Sequence, residues 1–158
     1  MTDTLTPTDI AGGNIPLLDH SQPAKTAKAA LKKVKEILDD AFRVDYPIDV
    51  LLAARTRAVD QVLKALWDGC NWGDSEVCLI ALGGYGRGEL HPHSDIDLMI
   101  LCANSPEDHR NAVETFITSV WDSGLQLGHS VRTIESCIEE ASSDITVVTN
   151  LMEARVLR

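Results

Sequence analysis

Two acidic residues, Asp95 and Asp97, are separated by a single residue at the start of an apolar stretch. In a β-strand, alternate side chains point to the same face, so we expect both acids and Met99 on one face. At that spacing the carboxylates lie about 6.6 Å apart and repel by about 2.5 kcal/mol at an effective dielectric near 20. A divalent cation offsets this repulsion, and Mg²⁺ typically takes one or two carboxylates together with phosphate oxygens. The pair therefore predicts a Mg²⁺ site.

A glycine-rich segment lies just before these acids and reads Gly83-Gly-Tyr-Gly-Arg-Gly88. Glycine has no Cβ, so its backbone N–H groups can approach a phosphate closely. Arg87 adds a planar set of donors that suits phosphate oxygens. We therefore expect a nucleotide-binding site formed by Gly83, Gly84, Arg87 and Ser94, with a cap on Asp95 as the alternative role of Ser94.

Each of these features also has a simpler interpretation. The segment lacks the third glycine of a dinucleotide fingerprint, and a second strand follows it instead of a helix. Taken alone, a glycine turn is most often only a turn, and an isolated Asp-x-Asp is most often a solvated pair on an edge strand. His91 and His93 flank Pro92 and are expected to orient the turn. The position of Asp95 and Asp97 directly after this particular segment favours metal binding.

The spacing of the two motifs resembles a known superfamily. Gly83-Gly84, ten intervening residues and then Asp95-Ile-Asp-Leu98 are similar to the signature of the polymerase-β-like nucleotidyltransferases. The fuller string from Gly83 to Leu98 resembles the N-terminal transferase domain of the bifunctional enzymes that add uridylyl groups to the PII nitrogen-signalling protein and remove them. Gly128–Thr133 and Asp144–Arg155 resemble later segments of the same family.

This resemblance covers Val77 to Arg158 and carries a set of expectations. It implies an α/β (α+β) fold, with a polymerase-β-like nucleotidyltransferase core in which helices flank a small mixed sheet. It also implies Mg²⁺-dependent uridylyl transfer from UTP to a tyrosine of PII, with release of pyrophosphate. The catalytic residues would be Asp95 and Asp97, which hold two Mg²⁺ ions, and Arg87, which stabilises developing charge. Two alternatives stay open: an adenylyltransferase acting on a protein or small molecule, and a non-catalytic nucleotide-binding regulatory module.

The sequence departs from the superfamily in one respect. Many members carry a third catalytic acid on their third strand, but residues 125–133, which contain the predicted third strand, have no Asp or Glu. His129, Asp144 and Glu153 are candidate substitutes, and an acid beyond Arg158 is another. The sequence alone does not choose among them.

The remaining pattern predicts a tail, a helical region and a core. Residues 1–23 contain three prolines and a Gly-Gly pair and are expected to be disordered, residues 24–72 to form a helical extension and residues 73–158 to form the transferase core. The core elements follow from apolar periodicity and capping residues. They are a strand at Val77–Leu82, a strand from Asp95, a helix from Pro106 to Gly124, a strand at Leu125–Val131, a short helix from Thr133 and a last helix that meets no stop signal before Arg158. We therefore expect the core to continue beyond Arg158.

Composition limits the possible partners. The formal net charge is −10, which argues against general nucleic-acid binding because that requires a basic surface. No apolar stretch has the length of a membrane span, and the polar N-terminus does not resemble a signal peptide. We expect a cytoplasmic protein that binds neither nucleic acid nor membrane.

Overall fold

A computed structural model describes residues 5–74 and 76–158 of the chain. Four strands form one sheet in the order β3-β2-β1-β4. Their bounds are β1 Val77–Leu82, β2 Ile96–Cys102, β3 Leu127–Thr133 and β4 Arg155–Val156. β1 pairs antiparallel with both β2 and β4, whereas β2 and β3 are parallel. The prediction of a small mixed sheet flanked by helices is confirmed.

Seven α-helices lie in the described part of the chain. They are α1 Pro7–Ala11, α2 Pro23–Arg43, α3 Ile48–Asp68, α4 Gly83–Gly86, α5 Arg110–Asp122, α6 Ile134–Ser143 and α7 Ile145–Met152. A 3-10 turn, capped by Ser105, leads into α5. Helix α5 connects β2 and β3, as parallel strands need a crossover connection of this kind. No helix among the described residues is both long and apolar enough to span a membrane.

The alternation predicted for β2 is confirmed. Ile96, Leu98 and Ile100 face the main core, which α3 and α5 cover on that side of the sheet. Met99 lies on the opposite face, where it packs with Ile80 of β1 and residues of α6 and α7 in a smaller cluster. Asp97 shares this second face and is exposed. Because both faces are covered along most of the strand, the register that presents Asp97 to solvent is firmly set.

Helix α3 belongs to the same hydrophobic core as the sheet. Val62 and Leu63 have no solvent exposure, and Leu66 has 3%. They pack in one cluster with β1, β2 and Phe116 of α5. The helical extension is therefore continuous with the sheet, and α3 is placed to hold residues of the glycine-rich segment.

The structure departs from the predicted disorder of residues 1–23, of which residues 1–4 lie outside the described residues. Thr6 and Asp9 form a capping box at the start of α1. Ile10 is completely buried in a second cluster that includes Val34 of α2 and Ala54 of α3. The proline and glycine content of this stretch suggested disorder, but a few apolar residues, Ile10 above all, pack against α2 and α3.

The end of the chain also differs from its prediction. Asp144 caps α7, but the helix ends at Met152 and does not continue to Arg158. Residues Arg155–Val156 form β4, and Leu157 is buried in the main core. A two-residue strand contains no periodic pattern, so its pairing with β1 is decided by tertiary contacts alone.

Candidate active site

Asp95 and Asp97 lie at the start of β2 and both side chains are exposed. Asp95 immediately precedes the strand, and Asp97 is its second residue. In the register of the sheet, Asp97 is opposite Leu82 at the end of β1 and opposite Gly128 of β3. The acid therefore lies where the glycine-rich segment leaves β1.

Two glycines from different elements flank the Asp97 carboxylate. A Cβ atom at Gly83 would lie 3.5 Å from Asp97 Oδ2, which is ordinary contact distance. A Cβ atom at Gly128 would lie only 2.8 Å from Oδ1 and would force the carboxylate to move. Gly128 thus leaves the space that Asp97 occupies, a role that the sequence analysis did not assign to it.

The electrostatics of the pair agree with the predicted repulsion. Loss of hydration raises the pKa of Asp97, and the Asp95 carboxylate raises it further. Two acids in this relation suit a hard cation such as Mg²⁺, because Mg²⁺ needs few protein ligands when phosphate and water oxygens supply the rest. Among the described residues, no group of three or more His, Cys, Asp or Glu side chains could hold a metal ion. The donors present therefore fit Mg²⁺ only as a pair of carboxylates.

The three candidate substitutes for the third acid lie elsewhere. His129 is opposite Leu98 and packs edge-on to Trp121, 6.2 Å between ring centroids, so it points to the α5 side of the sheet, away from Asp97. Asp144 accepts hydrogen bonds from Thr146, which lower its pKa and satisfy it as a cap. Glu153 forms an ion pair with Arg87. None of these three joins the two acids in a metal-ligand cluster.

The glycine segment, defined here as Gly83–Gly88, contains a short helix where the sequence predicted a turn. Gly83 and Gly88 have φ angles of +56° and +80°, which residues with side chains rarely adopt. At Gly86, a Cβ atom would lie 2.2 Å from the carbonyl oxygen of Glu153. Three of the glycines are therefore required by backbone conformation or by close approach.

Arg87 lies in this segment but its guanidinium is already paired. Nη1 is 2.7 Å from Glu153 Oε1, and Nε donates to Glu89 Oε2 at 3.2 Å. These two contacts raise the pKa of Arg87. A phosphate would have to compete for this side chain with two carboxylates, of which Glu89 is exposed and Glu153 is partly buried.

Sequence reasoning missed a buried ionic network behind the glycine segment. Asp60 of α3 is 4% exposed and accepts a hydrogen bond from the Tyr85 hydroxyl at 2.6 Å. Arg155 of β4 donates to both oxygens of Asp60, at 2.8 and 3.1 Å. Arg155 also donates to the carbonyl oxygens of Tyr85 and Gly86, each at 3.1 Å. The network joins α3, β4 and the glycine segment.

Thr56, one helical turn before Asp60, holds the end of the segment. Its hydroxyl donates to the Gly88 carbonyl oxygen at 2.9 Å and accepts from the Leu90 N–H at 3.2 Å. Thr56 and Asp60 are two polar residues four positions apart on the otherwise apolar buried side of α3, and this spacing is the sequence signal for the contact. That signal does not identify the partner.

The loop between the segment and β2 forms a turn. The Ser94 N–H donates to the His91 carbonyl oxygen at 3.2 Å, and His93 has a φ of +68°. Ser94 is exposed next to Asp95. The histidines thus lie in a turn, as predicted, and whether Ser94 binds phosphate stays a prediction.

Comparison with known families places this arrangement in context. The family model with the description "Putative nucleotidyltransferase DUF294" matches residues 30–131, which is more than half of the chain. The match begins in α2 and ends in β3, so it includes the helices that support the glycine segment as well as both acids.

Individual relatives agree with the family match. The chain is 49% identical over 139 residues to the bifunctional uridylyltransferase/uridylyl-removing enzyme of Pseudomonas putida strain GB-1. Proteins with the same name from Pseudomonas entomophila strain L48 and Pseudomonas aeruginosa strain LESB58 are 46% and 45% identical over the same length. Each alignment covers 87% of this chain but 15% of the relative, so the chain spans only a small part of these enzymes.

Proposed function

This chain belongs to the DUF294 nucleotidyltransferase family, and from that premise we propose that it carries out Mg²⁺-dependent transfer of a nucleotidyl group from a nucleoside triphosphate. The observation that carries the proposal is the position of Asp97. Its carboxylate lies beside Asp95 and between Gly83 and Gly128, where metal and phosphate groups can meet.

We propose UTP as the donor and a tyrosine of the PII protein as the acceptor. The relatives' name supports uridylyl transfer, and the resemblance in the segments from Gly83 to Leu98 and from Asp144 to Arg155 supports PII as the target. The need for a cellular nucleoside triphosphate and a signalling protein is consistent with a cytoplasmic site of action.

In the transfer, an oxygen of the acceptor hydroxyl forms a bond to the α-phosphorus while the bond from that phosphorus to pyrophosphate breaks. Asp95 and Asp97 would hold Mg²⁺, which when bound neutralises phosphate charge and favours the nucleophilic form of the hydroxyl. Backbone N–H groups of Gly83 and Gly84 and the Ser94 hydroxyl would contact the triphosphate. Arg87 would leave its ion pairs with Glu89 and Glu153 and stabilise the negative charge that develops on the leaving group. The hydroxyl proton passes to solvent.

A non-catalytic nucleotide-binding module is the second candidate. It is favoured by one observation: the described residues contain no cluster of three acids at Asp95 and Asp97. The experiment must therefore separate binding from transfer.

Transfer is tested in a longer protein that contains this region, with radiolabelled UTP and PII as acceptor. The isosteric Asp97→Asn variant should lose Mg²⁺-dependent labelling while its circular dichroism spectrum and unfolding temperature stay close to those of wild type. Unchanged labelling in this variant would contradict the role of the acids. UTP binding without labelling by wild type would favour the regulatory module, and equal use of UTP and ATP would remove the support for uridylylation.

A further inference from the structure

We propose that Asp60 is a positioning residue of the nucleotide site. Acting through Tyr85 and Arg155, its buried carboxylate fixes the glycine segment in the place that lets the segment bind phosphates beside Asp97. This inference deepens the proposed function and rests on it.

Asp60 is fully engaged by the network. Oδ1 accepts from the Tyr85 hydroxyl and from Arg155 Nη2, at 2.6 and 3.1 Å, and Oδ2 accepts from Arg155 Nη1 at 2.8 Å. Buried carboxylates are stable only when such partners replace water. The carboxylate therefore sets the orientation of both partners at once.

Arg155 transmits this orientation to the backbone of the glycine segment. With its other donors it binds the carbonyl oxygens of Tyr85 and Gly86, each at 3.1 Å. Its guanidinium carbon also lies 5.4 Å from the centre of the Tyr85 ring. Without Asp60, the guanidinium would lose its anionic partner and Tyr85 would lose the acceptor for its hydroxyl.

The segment cannot hold this position by itself. Helix α4 has four residues, and a helix of that length is unstable unless other elements hold it. Its first residue, Gly83, lies beside Asp97, whose Oδ2 would be 3.5 Å from a Cβ at Gly83, whereas Tyr85 and Gly86 contact the network. A shift at the network would therefore move the segment relative to the acids, and misplacement of about 1 Å is enough to impair a site of this kind.

A purely structural role for Asp60 is the competing explanation. A buried ion pair that only stabilises the fold would change the unfolding temperature but leave the nucleotide affinity of folded molecules unchanged. Affinity measured well below the unfolding temperature separates the two explanations.

The chain offers a matched control in Asp68, two turns further along α3. Asp68 Oδ1 accepts from Arg158 Nε at 3.0 Å, so it also ties the C-terminal segment to α3, but it does not contact the glycine segment. Asp68→Asn therefore removes an ion-paired carboxylate from the same helix, one that is half exposed, whereas Asp60 is buried.

The test is calorimetric titration of Mg²⁺-UTP, and separately of Mg²⁺-pyrophosphate, into wild type, Asp60→Asn and Asp68→Asn. We expect Asp60→Asn to weaken binding of both ligands at least tenfold and Asp68→Asn to change it less than twofold. Unchanged affinity in folded Asp60→Asn would overturn the proposal. Loss of UTP binding with normal pyrophosphate binding would also overturn it, because the effect would then not be on the phosphates.

Tyr85→Phe covers the case in which Asp60→Asn does not fold. It removes only the hydroxyl and keeps the ion pair, so we expect a threefold to tenfold loss of affinity for both ligands; no loss would overturn the proposal.

Hydrogen exchange gives a readout that needs no nucleotide: the amides of the glycine segment should exchange faster in Asp60→Asn or Tyr85→Phe than in Asp68→Asn. If wild type binds no UTP, the proposed function fails, whereas the exchange experiment still tests the network.

Discussion

The Asp97 carboxylate depends on the absence of a side chain at Gly128. In Gly128→Ala, the new Cβ would start 2.8 Å from Asp97 Oδ1, and the carboxylate would have to move. We expect Mg²⁺-dependent UTP binding to weaken about tenfold, which corresponds to about 1.4 kcal/mol. Ser130→Ala, two positions along the same strand, is the control and should bind normally. Equal affinities in the two variants would show that the position of Asp97 does not matter.

The pKa of Asp97 should lie above that of an ordinary aspartate. Burial and the Asp95 charge raise its pKa, so as the pH falls Asp97 takes up a proton earlier than an ordinary aspartate does. The folded protein therefore binds this proton more tightly than the unfolded chain does. Above the folded-state pKa, ionised Asp97 lowers the free energy of unfolding. This destabilisation is lost as the pH falls through that pKa. Metal affinity should weaken in the same range.

Carbon-detected NMR of the metal-free protein measures this pKa directly. Asp95→Asn should lower the pKa of Asp97 but leave it above its ordinary value, because burial is the larger cause. Asp144, whose pKa is lowered by Thr146, should titrate below its ordinary range in both proteins and serves as the internal control. A pKa of Asp97 that rises in Asp95→Asn would contradict the arrangement.

At the scale of elements, the glycine segment fits closely against the turn after α7. Gly86→Ala would place a Cβ 2.2 Å from the Glu153 carbonyl oxygen, a backbone atom that cannot move alone. Overpacking of this kind costs about 1–3 kcal/mol or more, so chemical denaturation should show a clear loss of stability. Gly84→Ala, whose Cβ would lie no closer than 3.6 Å to its neighbours, should unfold close to wild type. A Gly86→Ala protein as stable as Gly84→Ala would count against this contact.

Strands β1 and β2 were predictable from local sequence patterns, whereas the network of Asp60, Tyr85 and Arg155 was not. Asp95, Asp97 and the glycines are local in sequence, and alternation in β2 places the acids. Asp60 meets Tyr85 across 25 positions and Arg155 across 95, and no periodic pattern encodes such pairings. β4 is likewise too short to leave a pattern. The proposed metal ligands were therefore recognisable, whereas the residues that hold the backbone of the glycine segment required the structure.

At the scale of the whole molecule, the structure departs from the predicted disorder of the N-terminal tail in α1, where Pro7 and Ile10 are buried. Ile10→Ala should lower the free energy of unfolding by about 2–5 kcal/mol, since Ile10 has no solvent exposure in its cluster. Ile145→Ala makes the same change at a side chain that is 77% exposed and should have little effect. Denaturant titration compares the two, and equal stabilities would contradict the packing of α1.

An acidic protein that binds a polyanion needs a cation between them. The net charge is −10, and the site itself presents two carboxylates, so nucleotide alone should be repelled. Nucleotide binding at this site should therefore require Mg²⁺.

The most direct measurement is calorimetric titration of UTP into this chain with and without Mg²⁺, in wild type and in Asp97→Asn. Wild type should bind UTP with Mg²⁺ and at least tenfold more weakly without it, and Asp97→Asn should lose the dependence on Mg²⁺. Equal UTP affinity with and without Mg²⁺ in wild type, or Mg²⁺-dependent binding that survives in Asp97→Asn, would contradict a metal-nucleotide site at Asp95 and Asp97.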